Sequence, residues 1–576
     1  MSVIDHTQTL IGGALVARLL ADYGVECVFG VPSEAPQFVS RVFEAEQLRY
    51  VVLRDERAAP FAANVYVKLT GRIAVLDAAP SVGTTMMMAG LAEALNASIP
   101  MLGIFTETTQ KAGAIRRLGA VNQATDQEAY LRPVVKYCAR VDSVHALPSL
   151  LRTGLQLATS GRPGPVVLLV PYDVLEDDAS GVTAGPTPPK LARMGSLRSA
   201  PPTTAVNAAA DVLAAAARPV ILAGGGVLLS GAGQSVLTLA EQAEIPVSTT
   251  LSGAGAIPEQ HRLALGTAGF YGLPCPSQAI ERADTLLLVG MKGNGYATWF
   301  WRHPRDGQKV IHLDIDPAEP GKMFPDALSL VGDAREGLEA LTVSVAARPK
   351  PDRRAWLEEV GQLRAQTWEE IDSEHVSGQA HQGEMTSGVH LAWELDRRIG
   401  RGDVLLCEAS QTTGWASRVR LPEGARRITF RGLGVLGGGV GGALGARLAL
   451  GEASRVILFG GDGALGYQIG ELATLARLGS KVITIVLNNS SLGAVHIWPG
   501  MPAASADIGA IDFALAARAC GCTGLRVDRP GQLAAALDEA FAADGPVLID
   551  VVCDRNEWSP LSFDEHGVPI APFEWE

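Results

Sequence analysis

Short runs of β-branched and aliphatic residues alternate with longer Ala/Leu-rich stretches, and this alternation is played out three times along the chain. In the first block the runs at 27–29, 50–53, 73–76, 101–105 and 166–170 predict strands. The second block carries such runs at 220–223, 247–250, 285–289 and 310–314, and the third at 404–407, 427–430, 456–459, 482–487 and 547–552. Continuous apolar runs without polar alternation are the mark of strands buried on both faces, with helices between them. The predicted fold class is therefore α/β: three doubly wound parallel-sheet domains. A Pro-, Gly-, Ser- and Asp-rich stretch at 175–198 and a polar stretch at 375–383 separate the blocks, which places the domains at 1–180, 195–350 and 380–576.

Composition narrows the class. The chain has 576 residues and a net charge of −13, with 48 Lys+Arg against 61 Asp+Glu, a balance unlike the net basic face of a nucleic-acid binder. Seven cysteines in so long a chain, with only Cys520 and Cys522 close together, fit buried thiols in a reducing compartment rather than a disulfide frame. Asp5 sits where a signal peptide would carry positive charge. The one span that could pass for a membrane helix, 432–451, holds nine glycines and Arg447, so it reads as buried backbone turning close to a ligand. A cytoplasmic protein with no membrane and no nucleic-acid partner is expected.

The sharpest local signal is the strand–turn–helix Val456-Ile457-Leu458-Phe459-Gly460-Gly461-Asp462-Gly463-Ala464-Leu465-Gly466. Its glycines match the dinucleotide fingerprint, yet two features oppose that reading. No Asp or Glu occurs between Leu472 and Ala506, where a ribose-binding acid would stand, and Asp462 would repel a bare pyrophosphate. A cation between carboxylate and phosphates removes the conflict. The next predicted strand ends in Asn488-Asn489, at the same sheet edge as Asp462. One carboxylate, one amide oxygen, a backbone carbonyl (Ser491 is the candidate) and phosphate oxygens suit octahedral Mg²⁺.

Here the sequence resembles the thiamine diphosphate-dependent enzymes related to acetolactate synthase, benzaldehyde lyase and cyclohexane-1,2-dione hydrolase. Their hallmark is GDG followed by NN, and 24 residues separate Gly463 from Asn488. Val28-Phe29-Gly30-Val31-Pro32, Asp55-Glu56-Arg57-Ala58-Ala59 and Gly161-Arg162-Pro163-Gly164-Pro165 resemble further segments of that family, as does Gly432-Leu433-Gly434-Val435-Leu436-Gly437. The resemblance covers nearly the whole chain and implies a pyrimidine-binding, a central Rossmann-like and a diphosphate-binding domain. It implies Mg²⁺ on Asp462, Asn489 and Ser491, with the cofactor also touched by Gln411, Gly461, Gly463 and Ala464. It further implies Gly434 and Leu436 on the aminopyrimidine and Glu56 as the catalytic acid. Glu56 has a physical rationale too: a weakly acidic C2 proton needs assistance to leave, and a carboxyl on the pyrimidine nitrogen provides it.

Several positions depart from acetolactate synthase. Thr412 follows Gln411 where a histidine is expected, and Ser81-Val82-Gly83 replaces a GPG-like turn. Gln123, in Val121-Asn122-Gln123, matches an active-site glutamine, and a one-residue slip of the match would select Asn122 instead. Glu34, in Pro32-Ser33-Glu34, stands where pyruvate decarboxylases place an acidic proton relay. Ala494, Val495, His496 and Trp498 are the candidates for the substrate pocket, with Ala494 in place of a larger residue. The FAD segment of acetolactate synthase is matched by Gly290-Met291-Lys292-Gly293-Asn294-Gly295, without its arginine and paired acids; Gly224–226 and Gly266–269 leave an FAD or ADP moiety open. The expected activity is 2-oxo acid decarboxylation with carboligation. The alternatives are a C–C lyase or hydrolase on a hydroxyketone, diketone or 2-hydroxyacyl-CoA, and a flavin-linked oxidase. The expected partners are a small carbonyl substrate and further copies of the chain, in a homotetramer with active sites between subunits.

Overall fold

A computed structural model describes residues 10–33, 35–380, 385–496, 500–557 and 559. Three six-stranded sheets, every pairing parallel, organise them. The first contains β1 (Cys27–Gly30), β2 (Arg49–Val52), β3 (Val75–Ala78), β4 (Met101–Glu107), β5 (Tyr137–Arg140) and β6 (Pro165–Pro171) in the order 2-1-3-4-6-5. The second contains β7 (Pro219–Ala223), β8 (Val247–Thr249), β9 (Ala264–Thr267), β10 (Thr285–Val289), β11 (Lys309–Asp314) and β12 (Leu328–Val331) in the order 12-11-10-7-8-9, the Rossmann arrangement. The third contains β13 (Val404–Cys407), β14 (Arg426–Thr429), β15 (Val456–Gly461), β16 (Val482–Asn488), β17 (Thr523–Val527) and β18 (Val547–Val552). Its order, 14-13-15-16-18-17, repeats that of the first sheet.

The chain divides into two compact units. One comprises Met1–Leu197 and Gly432–Ala449, the other Arg198–Arg431 and Leu450–Glu576. In the first, the helix Gly439–Leu450 lies against the helix Ala58–Thr70. A Cβ on Gly441 would stand 2.7 Å from the Ala58 carbonyl oxygen, and one on Gly445 2.0 Å from that of Ala62. Residues 439–450 of the glycine-rich span are thus a helix, and the glycines at 441 and 445 let two backbones touch; for these two positions this corrects the reading as backbone beside a ligand. Among the described residues no helix is long and apolar enough to cross a membrane.

In the second unit, Arg353 is 1% exposed and donates to the carbonyls of Leu213, Ala216 and Ala243, satisfying acceptors at the ends of the helices Thr203–Ala215 and Gly233–Ala243. Between β14 and the loop before β9, Arg427 and Glu259 form a buried ion pair at 3.3 Å. Glu259 also accepts the Leu421 N–H at 3.0 Å, and Arg427 donates to Thr267 and to the Val419 carbonyl. All seven cysteines are free thiols; five are buried, and Cys138 and Cys520 half-buried.

Candidate active site

The third sheet builds the site at the carboxyl ends of its two central strands, where open α/β sheets take their ligands. Strand β15 ends at Gly461, and a one-turn helix, Asp462–Leu465, begins at once. Gly463 keeps this turn tight against the next loop: a Cβ there would lie 2.8 Å from Leu492 Cδ2. Asp462 is 5% exposed. Its Oδ1 accepts the Gly463 N–H at 2.8 Å, whereas Oδ2 is buried with no hydrogen-bond partner among the described residues. Burial pushes this carboxyl up, while the N–H dipoles of Gly463, Ser490, Ser491 and Asn489 pull it down. A buried carboxylate oxygen without a donor carries a large desolvation cost that a cation would relieve.

After β16 the chain turns through Ser490, at φ 54°, and brings Asn489 and Ser491 to this edge. Asn489 Oδ1 accepts the Ser491 N–H at 3.0 Å. The bridge between Ser491 and Asp507 is made by the Leu492 N–H and the Ser490 carbonyl, which leaves Ser491's own carbonyl outside the ladder. Asp462, Asn489 and this carbonyl are hard oxygen donors of the kind Mg²⁺ takes together with phosphate oxygens, so the residues present fit a Mg²⁺–diphosphate group. Among the described residues no group of three or more His, Cys, Asp or Glu is placed to hold a metal.

Asn488 does different work from its neighbour. Its amide donates to the Ile511 carbonyl and to Asp550, both at 2.8 Å, so it braces the sheet. Gln411 is likewise engaged: its Nε2 donates to the Gly493 carbonyl at 2.8 Å and its Oε1 accepts the Ser559 N–H at 3.0 Å. It ties the loop after β13 to the helix Gly493–His496. In that helix Ala494 is exposed and Val495 and His496 half-buried; Ala464 is buried behind the turn, and Trp498 lies outside the described residues.

The first unit holds the remaining candidates. Glu56 is half-buried just before the helix Ala58–Thr70. The Arg57 guanidinium pairs with Asp55, at 2.6 Å, and the Glu56 carboxyl makes no hydrogen bond or ion pair among the described residues. The two glycine contacts, 441 on 58 and 445 on 62, run in the same direction along both helices. The helices are therefore parallel, and Glu56 shares their amino-terminal end with Gly434 and Leu436. Gly434 is exposed at φ 80° and Leu436 is half-buried. Gln123, at φ 59°, is half-buried, and its carbonyl accepts the Ser81 hydroxyl at 2.6 Å, which joins its loop to the 81–83 turn. Glu34 lies outside the described residues.

In the central sheet, the glycines that left a nucleotide open have internal occupants. A Cβ on Gly224 would stand 2.3 Å from the Gly290 carbonyl oxygen, one on Gly226 2.7 Å from Gly290 Cα, and one on Gly269 2.2 Å from the Tyr296 carbonyl oxygen. Backbone packing accounts for these positions.

Among the buried acids that escape the motif reading are Asp77 and Glu93. Asp77, fully buried at the end of β3, accepts the Tyr50 hydroxyl at 2.6 Å and the Ser33 N–H at 3.0 Å. Glu93 is the single charged residue of the helix Val82–Ala97 and is also fully buried. A lone acid in a long apolar helix was the available signal for Glu93.

Residues 11–129, 206–341 and 408–551 match family models described respectively as the N-terminal thiamine pyrophosphate binding domain, the central domain and the C-terminal thiamine pyrophosphate binding domain of thiamine pyrophosphate enzymes. Among curated relatives, the chain is similar to an acetolactate synthase isozyme 3 large subunit of Escherichia coli, at 31% identity over 96% of both chains. It is 31% identical to an acetolactate synthase of Mycobacterium bovis, over 96% of this chain and 90% of that one. A probable acetolactate synthase large subunit of Methanocaldococcus jannaschii is 29% identical over 96% of this chain and 93% of its own.

Proposed function

Because this chain belongs to the thiamine pyrophosphate enzymes, matching them in all three domains, we propose that it decarboxylates a 2-oxo acid and joins the remaining acyl carbon to a second carbonyl compound. The observation that carries the reading is Asp462: a buried carboxylate with one oxygen unpartnered among the described residues, at the sheet edge where Asn489 and Ser491 also lie. These three would hold Mg²⁺, and Gly461, Gly463 and Ala464 would let the diphosphate approach the backbone. When bound, thiamine diphosphate supplies a nucleophilic carbon and an electron sink for the C–C bond that breaks.

The protein's own groups orient and move protons. Glu56, free of the Asp55–Arg57 pair, would hold the proton at the pyrimidine nitrogen. Gly434 and Leu436 would seat the aminopyrimidine, and Gln411 would keep the 493–496 helix in place. Gln123 and Glu34 are assigned to orienting substrate and delivering a proton, and Ala494, Val495, His496 and Trp498 to the acceptor pocket. Assembly is assigned as a homotetramer, a dimer of dimers with sites shared between subunits.

NMR of the enzyme with Mg²⁺, thiamine diphosphate and pyruvate, with and without an aldehyde, tests the reading. Pyruvate is expected to disappear into an acetolactate- or acetoin-type product, with the rate reduced at least about 100-fold in Glu56→Gln, the usual span for losing an acid–base group. Intact pyruvate with cofactor bound would overturn the decarboxylation reading in favour of hydroxyketone, diketone or acyl-CoA cleavage.

A further inference from the structure

Glu93 has no part in the assignments above, yet it reaches the segment on which they depend. Its Oε1 accepts the N–H of Gly432 at 2.8 Å and its Oε2 the N–H of Leu433 at 2.5 Å. The loop lies directly on the helix Val82–Ala97: a Cβ on Gly432 would stand 2.7 Å from the Glu93 carbonyl oxygen and 2.8 Å from the Ala97 nitrogen. One residue beyond Leu433 is Gly434, with its left-handed backbone, and two beyond that is Leu436.

Two consecutive N–H groups held by the two oxygens of one carboxylate fix two consecutive peptide planes. The directions of the carbonyls that follow are thereby constrained, since each plane shares a Cα with the next. Charge-assisted bonds are the strong kind, and the acceptor here is fully buried. The buried charge also has a counter-charge, since Lys68 of the helix Ala58–Thr70 interacts electrostatically with Glu93. The same carboxylate therefore acts on the helix that follows Glu56 and on the loop that carries Gly434.

We propose that Glu93 is a positioning residue, which sets the backbone of residues 432–436 so that Gly434 and Leu436 present the right surface to the aminopyrimidine. This inference rests on the cofactor reading above. A purely structural role would also need Glu93 buried, so the test must read the loop and the cofactor separately.

The test compares Glu93→Gln with the wild type by hydrogen exchange of the 432–436 peptide without cofactor, and by thiamine diphosphate titration in Mg²⁺ with near-ultraviolet circular dichroism of the bound cofactor. A glutamine keeps the shape but turns a donor toward one of the two N–H groups. The variant is expected to exchange faster at Gly432 and Leu433, to bind the cofactor at least about tenfold more weakly, and to show an altered cofactor dichroism. Gly432→Ala keeps the Glu93 carboxyl but crowds both the helix backbone and, at 2.9 Å, Glu93 Oε1, so it pushes the loop off its anchor; it should reproduce all three effects, and serves if Glu93→Gln fails to fold. Faster exchange with unchanged affinity and dichroism would reduce Glu93 to a structural residue and overturn the proposal; so would unchanged exchange. A wild type that binds no thiamine diphosphate would instead overturn the cofactor reading, and exchange would still report whether Glu93 holds the loop.

Discussion

Single side chains carry their meaning here through burial. Asp77 is fully buried with the Tyr50 hydroxyl and the Ser33 N–H on one oxygen, and burial pushes its carboxyl up against the lowering effect of both bonds. A raised folded-state value favours the protonated acid in the folded protein. Its contribution to stability is then complete below the unfolded carboxylate range, near pH 4, and is lost as pH rises through the folded value. Asp77→Asn removes the charge and keeps an acceptor for both donors. It should raise the melting temperature at pH 8, with the gain shrinking as pH falls toward about 4; a gain independent of pH would point to packing instead. Asp77 was not legible in the sequence because an acid at a strand end reads as exposed, and only the close packing of Tyr50 and Ser33 encloses it. Asp462 was legible because glycines on either side and an asparagine pair downstream leave few other uses for a carboxylate there.

At the scale of the element, the apolar runs located every interior strand and two of the six edge strands, β2 and β14. The runs led to fourteen strands, and the four unread ones, β5, β9, β12 and β17, each lie at a sheet edge. Three of them are largely half-buried or exposed, as in Tyr137-Cys138-Ala139-Arg140, so no apolar run marks them; β9, Ala-Leu-Gly-Thr, is buried but has little β-forming composition. Helices show the same dependence on neighbours. At Gly361, in the helix Arg354–Ala380, an added Cβ would meet nothing within 4 Å, so Gly361→Ala should stabilise by about 0.5–1 kcal/mol through helix propensity. At Gly445 the same substitution meets the Ala62 carbonyl at 2.0 Å, and backbone cannot rotate away. Overpacking there should exceed the propensity gain and destabilise by about 3 kcal/mol. Urea denaturation of the two variants side by side checks the opposite signs.

Across the whole molecule, the second unit joins its two sheets through charge. Arg427 on β14 is wholly enclosed and meets Glu259 of the central sheet's connections at 3.3 Å. Removing either partner alone leaves a buried unpaired charge, so Arg427→Met or Glu259→Gln should cost about 3–5 kcal/mol, whereas the double variant should recover most of it. Equal losses in the singles and an additive double, measured by denaturant midpoint, would mean that the two do not interact. The first unit has a different kind of dependence, because its residues 432–449 arrive only after those of the whole second sheet. With Leu197 made, about 250 further residues must be synthesised before Ala449 exists, which at roughly 5–20 per second takes about 12–50 s. During that interval the face of Ala58 and Ala62 on the nascent chain has no glycine helix to lie against, so the part of the protein that emerges first from the ribosome is among the last to be finished.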